Sequence, residues 1–265
     1  MIDTHAHVHD RQYDDDREQV VERARAAGVE RIVTIGCDLD DSERALRVAE
    51  QFGLAATIGI HPHEAKSAPA DVAGAFDRLR AAADAPVVAI GETGLDYYYM
   101  HSPAEEQRRV MEAQIRYARA AGLPVVFHQR DAGEDFLAVL RSTWDRATMR
   151  GVVHCFTGDA AQATTFVGEF GLKLGIGGVL TFKSAEPLRE AVRTVGLGPL
   201  LLETDCPYLA PVPYRGKRNE PAFVAETARK LAELFGTGLA EVVETTTRGA
   251  QELFRLDEIT GRQVR

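Results

Sequence analysis

No stretch of this 265-residue chain approaches the ~20 consecutive apolar residues of a membrane-spanning helix, so no membrane contact is expected. Cysteine is scarce. Cys37, Cys155 and Cys206 are odd in number and far apart, which argues against a disulfide scaffold and suits a reducing compartment. Positive charge is in deficit, with 31 Lys+Arg against 40 Asp+Glu and a formal net charge of -9. That balance excludes a protein that coats nucleic acid by bulk charge; a polyanion would have to be met by a local basic patch or by bound cations. Low-complexity linkers and internal charge blocks are missing as well, so nothing divides the chain. The opening Met1-Ile2-Asp3-Thr4-His5 has no basic segment leading into an apolar run, so no signal peptide is read and a cytoplasmic location is expected. What is present is ordinary globular material, 45% hydrophobic and 27% charged, which excludes a disordered or fibrous protein.

Short β-branched runs alternate with helical patterns along the whole chain. Residues 1–5, 31–36, 54–60, 86–91, 124–128, 151–154, 172–176 and 199–203 read as strands, the interior ones apolar on both sides as buried parallel strands are. Between them, helices over ~14–27 and ~40–52 stop at Gly28 and Gly53, and one introduced by a capping box at Ser102 and Glu105 stops at Gly122. Eight strand-then-helix units in this length match a (β/α)8 TIM barrel in one domain, residues 1–255, with an added amphipathic helix over 239–254 and a polar tail over 256–265. Open doubly wound sheets share the alternation, so the count alone does not separate the two α/β architectures.

Position separates them better. His5, His7, His61, His128 and His154 sit at or just past the C-terminal ends of predicted strands, His63 follows His61, Glu92 ends the fourth strand, and Asp205 follows the eighth. In a barrel these ends converge on one face, and imidazoles meeting carboxylates there chelate divalent cations. His5 and His7, two apart on a strand, point to one side and suit one ion; a pair of surface histidines near a terminus is the plainer reading. Glu92 alone would be a solvated acid or a helix cap, but Gly91 and Gly94 fit a tight turn presenting it inward. His128 and His154 could each be hydrogen-bonded core histidines, though two on adjacent strands make that less comfortable. Glu203 and Asp205 again share a face. Two buried acids need cations or hydrogen bonds, so Asp205 is a metal ligand, a base acting on a water, or both, and Glu203 holds a histidine from behind or a third ion. Cys155 and Cys206, beside His154 and Asp205, face away and read as buried hydrophobes.

Taken in order, these segments resemble the TatD family of metal-dependent hydrolases, within the amidohydrolase-like superfamily. The residues that carry the resemblance are Asp3-Thr4-His5-Ala6-His7, Gly59-Ile60-His61-Pro62-His63-Glu64, Gly91-Glu92-Thr93-Gly94-Leu95-Asp96-Tyr97-Tyr98 and His128-Gln129-Arg130-Asp131-Ala132. His154-Cys155-Phe156-Thr157-Gly158, Glu203-Thr204-Asp205-Cys206-Pro207-Tyr208-Leu209 and Arg215-Gly216-Lys217-Arg218-Asn219-Glu220-Pro221 complete the set. Gln129 stands where Ser or Thr is common and Cys206 where Ala is usual. The resemblance implies a (β/α)8 barrel with two divalent cations, Zn, Mn, Mg, Co or Ni. His5, His7, Glu92 and Asp205 would hold the first, and Glu92, His128 and His154 the second, with Glu92 bridging.

Members of that family are described as deoxyribonucleases, often 3′–5′ exonucleases, and some are linked to deacylation of D-aminoacyl-tRNA. The expected reaction is hydrolysis of DNA phosphodiesters by a water that two metals activate, with Asp205 and Glu92 as catalytic residues. The alternative is hydrolysis of a small ester, lactone, amide or aminoacyl-tRNA ester by the same centre. His61 and His63 are read as phosphate or leaving-group contacts, a structural role being equally open. Arg130, Arg215, Lys217 and Arg218 are read as a positive rim for a phosphate backbone. Tyr97, Tyr98 and Tyr99 read first as a packed helix start, with base stacking as the alternative. DNA, with RNA or a tRNA ester in reserve, is the expected substrate, and no obligate protein partner is implied.

Overall fold

The computed structural model describes residues 1–259. In chain order the strands are β1 (Ile2–Ala6), β2 (Arg31–Ile35), β3 (Ala55–Ile58), β4 (Val87–Asp96), β5 (Val125–Arg130), β6 (Gly151–Val153), β7 (Lys173–Ile176) and β8 (Leu200–Leu202). The helices are α1 (Arg17–Ala26), α2 (Leu39–Phe52), α3 (Val72–Ala82), α4 (Ala104–Ala121), α5 (Gly133–Thr143), α6 (Ala160–Gly168), α7 (Glu186–Val195), α8 (Val224–Phe235), α9 (Leu239–Phe254) and α10 (Leu256–Ile259). The strands form one sheet in the order β1 to β8, with a helix after each, which is the (β/α)8 class. Among the described residues no helix is long and apolar enough to cross a membrane.

By internal packing the chain divides into two compact units, Ile35–His154 and the remainder. Within the first, β3, β4, β5 and β6 pair in parallel, Ile90 opposite Val125 and Phe127 opposite Val153. Phe127 is fully buried and meets Phe136 and Trp144 edge-on at 5.5 and 5.4 Å, so α5 is anchored on β5 by aromatic contact. Each such buried side chain contributes about 1.5–3 kcal/mol relative to exposure. In the second unit β1 pairs with β2, β7 pairs with β8, and Ala6 bridges to Cys206.

Several boundaries differ from the sequence reading, each for a local reason. β4 does not stop at Glu92 but runs on to Asp96. Gly91 and Gly94 do not turn the chain; at φ +138° and +149° they let β4 press against β5, where a side chain would collide with the carbonyl oxygens of Val126 and His128. Ser102 does not cap α4. Its hydroxyl donates to the carbonyl of His63 and accepts from the N–H of Lys66, and Pro103 occupies the cap position. The predicted helix over ~14–27 is a 3-10 turn at Arg11–Tyr13 followed by the shorter α1. The start of the predicted polar tail is the single turn α10, whose Leu256 is buried; residues 260–265 of that tail lie outside the described residues.

Candidate metal centre

In the unit 35–154, three imidazoles converge on one oxygen of Glu92. Glu92 Oε1 lies 2.9 Å from His128 Nδ1, 2.8 Å from His154 Nε2 and 3.4 Å from His61 Nε2. His128 Nδ1 is also 3.4 Å from His154 Nε2. Strand pairing produces this arrangement: β4 delivers Glu92, β5 delivers His128, and His154 follows β6 with its N–H donated to the carbonyl of Phe127. Burial works to raise the Glu92 carboxyl, but the neighbouring imidazoles of His154 and His61 and the hydrogen bonds from His128 and His154 hold it well below the usual carboxylate range. Glu92 is therefore an anion inside the protein, ready to face a cation.

The three histidines are not equivalent. His61 heads the 3-10 turn Pro62–Ser67, and its Nδ1 accepts the backbone N–H of His63 at 3.1 Å. Burial pushes this imidazole down to about 4, Glu92 only partly opposing, so the ring is neutral near pH 7. A neutral ring whose Nδ1 lone pair is taken carries its hydrogen on Nε2. Although donor atoms of His61, Glu92 and His128 lie within 4.8 Å of one another, His61 is thus a hydrogen-bond donor to Glu92 rather than a cation ligand. His128 differs. Its Nε2 donates to Asp96 Oδ2 at 3.1 Å, leaving Nδ1 aimed at Glu92 and His154. Burial opposes the charged ring, but the hydrogen bonds to Asp96 and Glu92 prevail and raise it. A histidine anchored by a carboxylate through one nitrogen and presenting the other to a carboxylate and a second imidazole is a donor set that fits a divalent cation.

Asp96 had no assigned role in the sequence reading, yet it organises this cluster. Its Oδ2 also accepts from His63 Nε2 at 3.0 Å, and its Oδ1 accepts the N–H groups of Tyr98 and Tyr99. Burial alone would raise its carboxyl; the hydrogen bonds from His128, Tyr99 and His63 hold it far below the usual range. The available signal was a second acid four residues beyond Glu92, between a predicted tight turn and a predicted helix start.

The other unit carries its own cluster. Asp205 Oδ1 lies 3.5 Å from His7 Nε2 and 3.8 Å from His5 Nε2, and the two rings meet edge-on at 5.2 Å. Backbone pairing sets this up: the N–H of Asp205 donates to the carbonyl of His5 and the N–H of His7 to that of Cys206. Asp205 has φ +56°, a left-handed conformation, so the chain leaves the strand path at that residue. Asn219, also unassigned from sequence, pins the loop by donating from Nδ2 to the carbonyls of Thr204 and Tyr208. Glu203 is buried and accepts the N–H of Cys155; Gly175 makes room, since a side chain there would overlap the carboxylate at 2.0 Å. Asp3, buried beneath and hydrogen-bonded to Thr204, has its carboxyl pushed up to about 8 by desolvation, against the pull of those bonds.

The expected rim is uneven. Arg130 is exposed with its guanidinium over two tyrosine rings. Arg215 lies over Phe182 at 3.8 Å and Lys217 Nζ stands 6.0 Å from the Tyr214 ring. Arg218 is held by Asp16 at 2.6 Å and by the carbonyl of Gln12, so its charge is already engaged. Cys206 is buried as expected. Cys155 is only half-buried, because φ +44° turns it out of the strand geometry that would have hidden it.

The family described as TatD related DNase matches residues 2–255. The protein named "Uncharacterized metal-dependent hydrolase YabD" from Bacillus subtilis (strain 168) is 41% identical, over 97% of this chain and 100% of its own length. The "3'-5' ssDNA/RNA exonuclease TatD" of Erwinia amylovora is 36% identical over 97% of this chain and 100% of its own. The crystal structure of YJJV, a TatD homologue from Escherichia coli K12, superposes with a TM-score of 0.89 at 30% identity, covering 97% of this chain and 98% of that one. Similarity of this extent, on full-length relatives and on the same (β/α)8 fold, leaves one conclusion: the chain belongs to the TatD family and is a metal-dependent hydrolase.

Proposed function

We propose that this hydrolase cleaves phosphodiester bonds in single-stranded nucleic acid, removing nucleotides from the 3′ end. The observation that carries the reading is the anionic Glu92 faced by His128 and His154, with His128 fixed from behind by Asp96. Relatives that bear the name 3'-5' ssDNA/RNA exonuclease support the choice of substrate.

In this reading His5, His7, Glu92 and Asp205 hold one divalent cation, and Glu92, His128 and His154 a second. Glu203 acts from behind these ligands through its bond to Cys155. The cations, when bound, supply Lewis-acid polarisation of the phosphodiester and acidify the attacking water. The chain's own residues do the rest. Asp205 accepts the proton of that water at a carboxylate oxygen. The Nε2–H of His61, which faces Glu92 at 3.4 Å, would turn its hydrogen bond to a non-bridging phosphate oxygen when Glu92 engages a cation, and His63, oriented by Asp96, donates to the departing oxygen. Arg130, Arg215 and Lys217 neutralise flanking phosphates, Arg218 contributing least because Asp16 already holds it. Residues 1–255 form the catalytic domain, and Cys37, Cys155 and Cys206, held as thiols, suit a cytoplasmic enzyme.

The test is metal analysis of the purified protein, then a panel of single-stranded and duplex DNA, RNA, aminoacyl-tRNA esters and lactones. Single strands should be the best substrates, and Asp205→Asn should lower kcat by at least about 100-fold. Intact DNA and RNA with every ion, alongside turnover of an ester, would sink the reading.

A further inference from the structure

Tyr98 and Tyr99 do not pack as a helix start. They are 58% and 50% exposed, two adjacent open rings just after β4. Their backbone is nonetheless fixed. Asp96 Oδ1 accepts the N–H of Tyr98 at 3.0 Å and of Tyr99 at 2.9 Å, and the N–H of Tyr97 donates to the carbonyl of Arg130. Tyr97 itself is tied down through its hydroxyl to Asp135 at 2.6 Å. The turn is rigid while two of its rings face solvent.

Arg130 completes the surface. It ends β5 two residues beyond His128, hence on the same side of the strand. Its guanidinium stands 4.0 Å from the Tyr98 ring centre and 4.9 Å from that of Tyr99. It is stacked on aromatic faces and makes no ion pair among the described residues, so its donors are available to an anion. His101 stacks against Tyr99, parallel within 7° with ring centres 5.6 Å apart, and so holds that ring in place.

The geometry points to a base-stacking ledge: Tyr98 and Tyr99 carry unpaired nucleobases while Arg130 takes the phosphate between them. The inference rests on the phosphodiesterase reading above. Aromatic faces beside an unpaired arginine match a base next to a phosphate, a pairing that a peptide or a lipid surface does not require. Every base offers a π-face, so the ledge is tolerant of sequence, but a base in a duplex is already stacked on its neighbours and is not offered to it. Selection of single strands would then come from this surface and not from the metal ligands. The single carboxylate of Asp96 holds the tyrosine turn with one oxygen and His128 and His63 with the other, which fixes the ledge relative to the chemistry.

Two measurements test it. The first is the ratio of KM for a short single-stranded oligonucleotide to KM for an abasic strand of the same length, which keeps the phosphates and offers no base to the ledge. Tyr98→Leu with Tyr99→Leu should raise this ratio about tenfold per ring, whereas Tyr98→Phe with Tyr99→Phe should preserve it. An unchanged ratio in the leucine pair, or equal loss in both pairs, overturns the proposal. The second uses a strand carrying 2-aminopurine and phosphorothioate linkages that resist cleavage, with the bound metal retained. Its fluorescence should be quenched by the wild-type protein and by the phenylalanine pair but not by the leucine pair; quenching that ignores the substitutions overturns the ledge. A wild-type protein that cleaves neither the oligonucleotide nor the abasic strand would defeat the phosphodiesterase reading, and the quenching result would still decide the ledge.

Discussion

Asp96 is the residue through which most of the unit 35–154 cluster is connected. One oxygen binds two histidines and the other two backbone N–H groups, so its charge orients His128 and holds the Tyr98–Tyr99 turn at once. Carboxylates that hold a metal-ligating histidine from behind typically govern affinity by 10–100-fold. Asp96→Asn keeps the shape but removes the charge that favours the Nε2–H form of His128. Titration with Mn or Zn should therefore show the cation bound about 10–100-fold more weakly, with the fold intact by circular dichroism. The variant Asp135→Asn, which removes a surface partner of Tyr97 and Arg108, should leave that affinity unchanged. Equal affinity in Asp96→Asn and wild type would mean that His128 needs no anionic support.

Among the elements, β4 decides where the chemistry sits, and its glycines decide how β4 runs. Gly94 and Gly122 both have positive φ, +149° and +65°, but their surroundings differ. A side chain at Gly94 would stand 1.8 Å from the carbonyl oxygen of His128, whereas one at Gly122, just past α4, would meet nothing within 4 Å. Gly94→Ala must displace β4 from β5 and should lose about 2–5 kcal/mol of stability in urea titrations. Gly122→Ala bears only the backbone strain, about 1 kcal/mol. Comparable losses from the two would show that close approach, as opposed to backbone conformation, is not what Gly94 supplies. The same glycines mark what sequence could and could not reveal. Helix ends at Gly53 and Gly122 were legible because an αL stop is a local event written in one residue. Histidines at strand ends were legible because strand periodicity fixes direction. The passage of β4 through Gly91 and Gly94 was not legible, since glycine in a β run signals a turn and a tight strand contact equally. Asp96 and Asn219 were missed for a related reason: His128 and Thr204, which tie them to the two clusters, lie 32 and 15 residues away on other segments, and no local pattern links them.

For the whole molecule, the question is how a chain of net charge -9 attracts a polyanion. Bulk attraction is ruled out, so affinity must come from a few local cations together with the metal ions, and salt should report how few. Of the arginines and the lysine read as a rim, Arg218 is neutralised by Asp16, so the proposed function rests on Arg130, Arg215 and Lys217 for its phosphate contacts. Three phosphate contacts on a single strand give a log–log salt slope of about -2, a fall of roughly 15-fold in affinity between 50 and 200 mM salt. A protein that coats nucleic acid through six or more contacts would lose about a thousandfold over the same range. Binding of a single-stranded oligonucleotide at several salt concentrations, metal held constant, checks the count. Arg130→Gln should reduce the slope by about 0.7, and Arg218→Gln should hardly move it, because releasing Asp16 costs the surface one positive and frees one negative charge outside the phosphate path. A steep slope in wild type, or a loss of about 0.7 in Arg218→Gln, would show that Arg218 meets a phosphate in spite of Asp16 and would overturn the count.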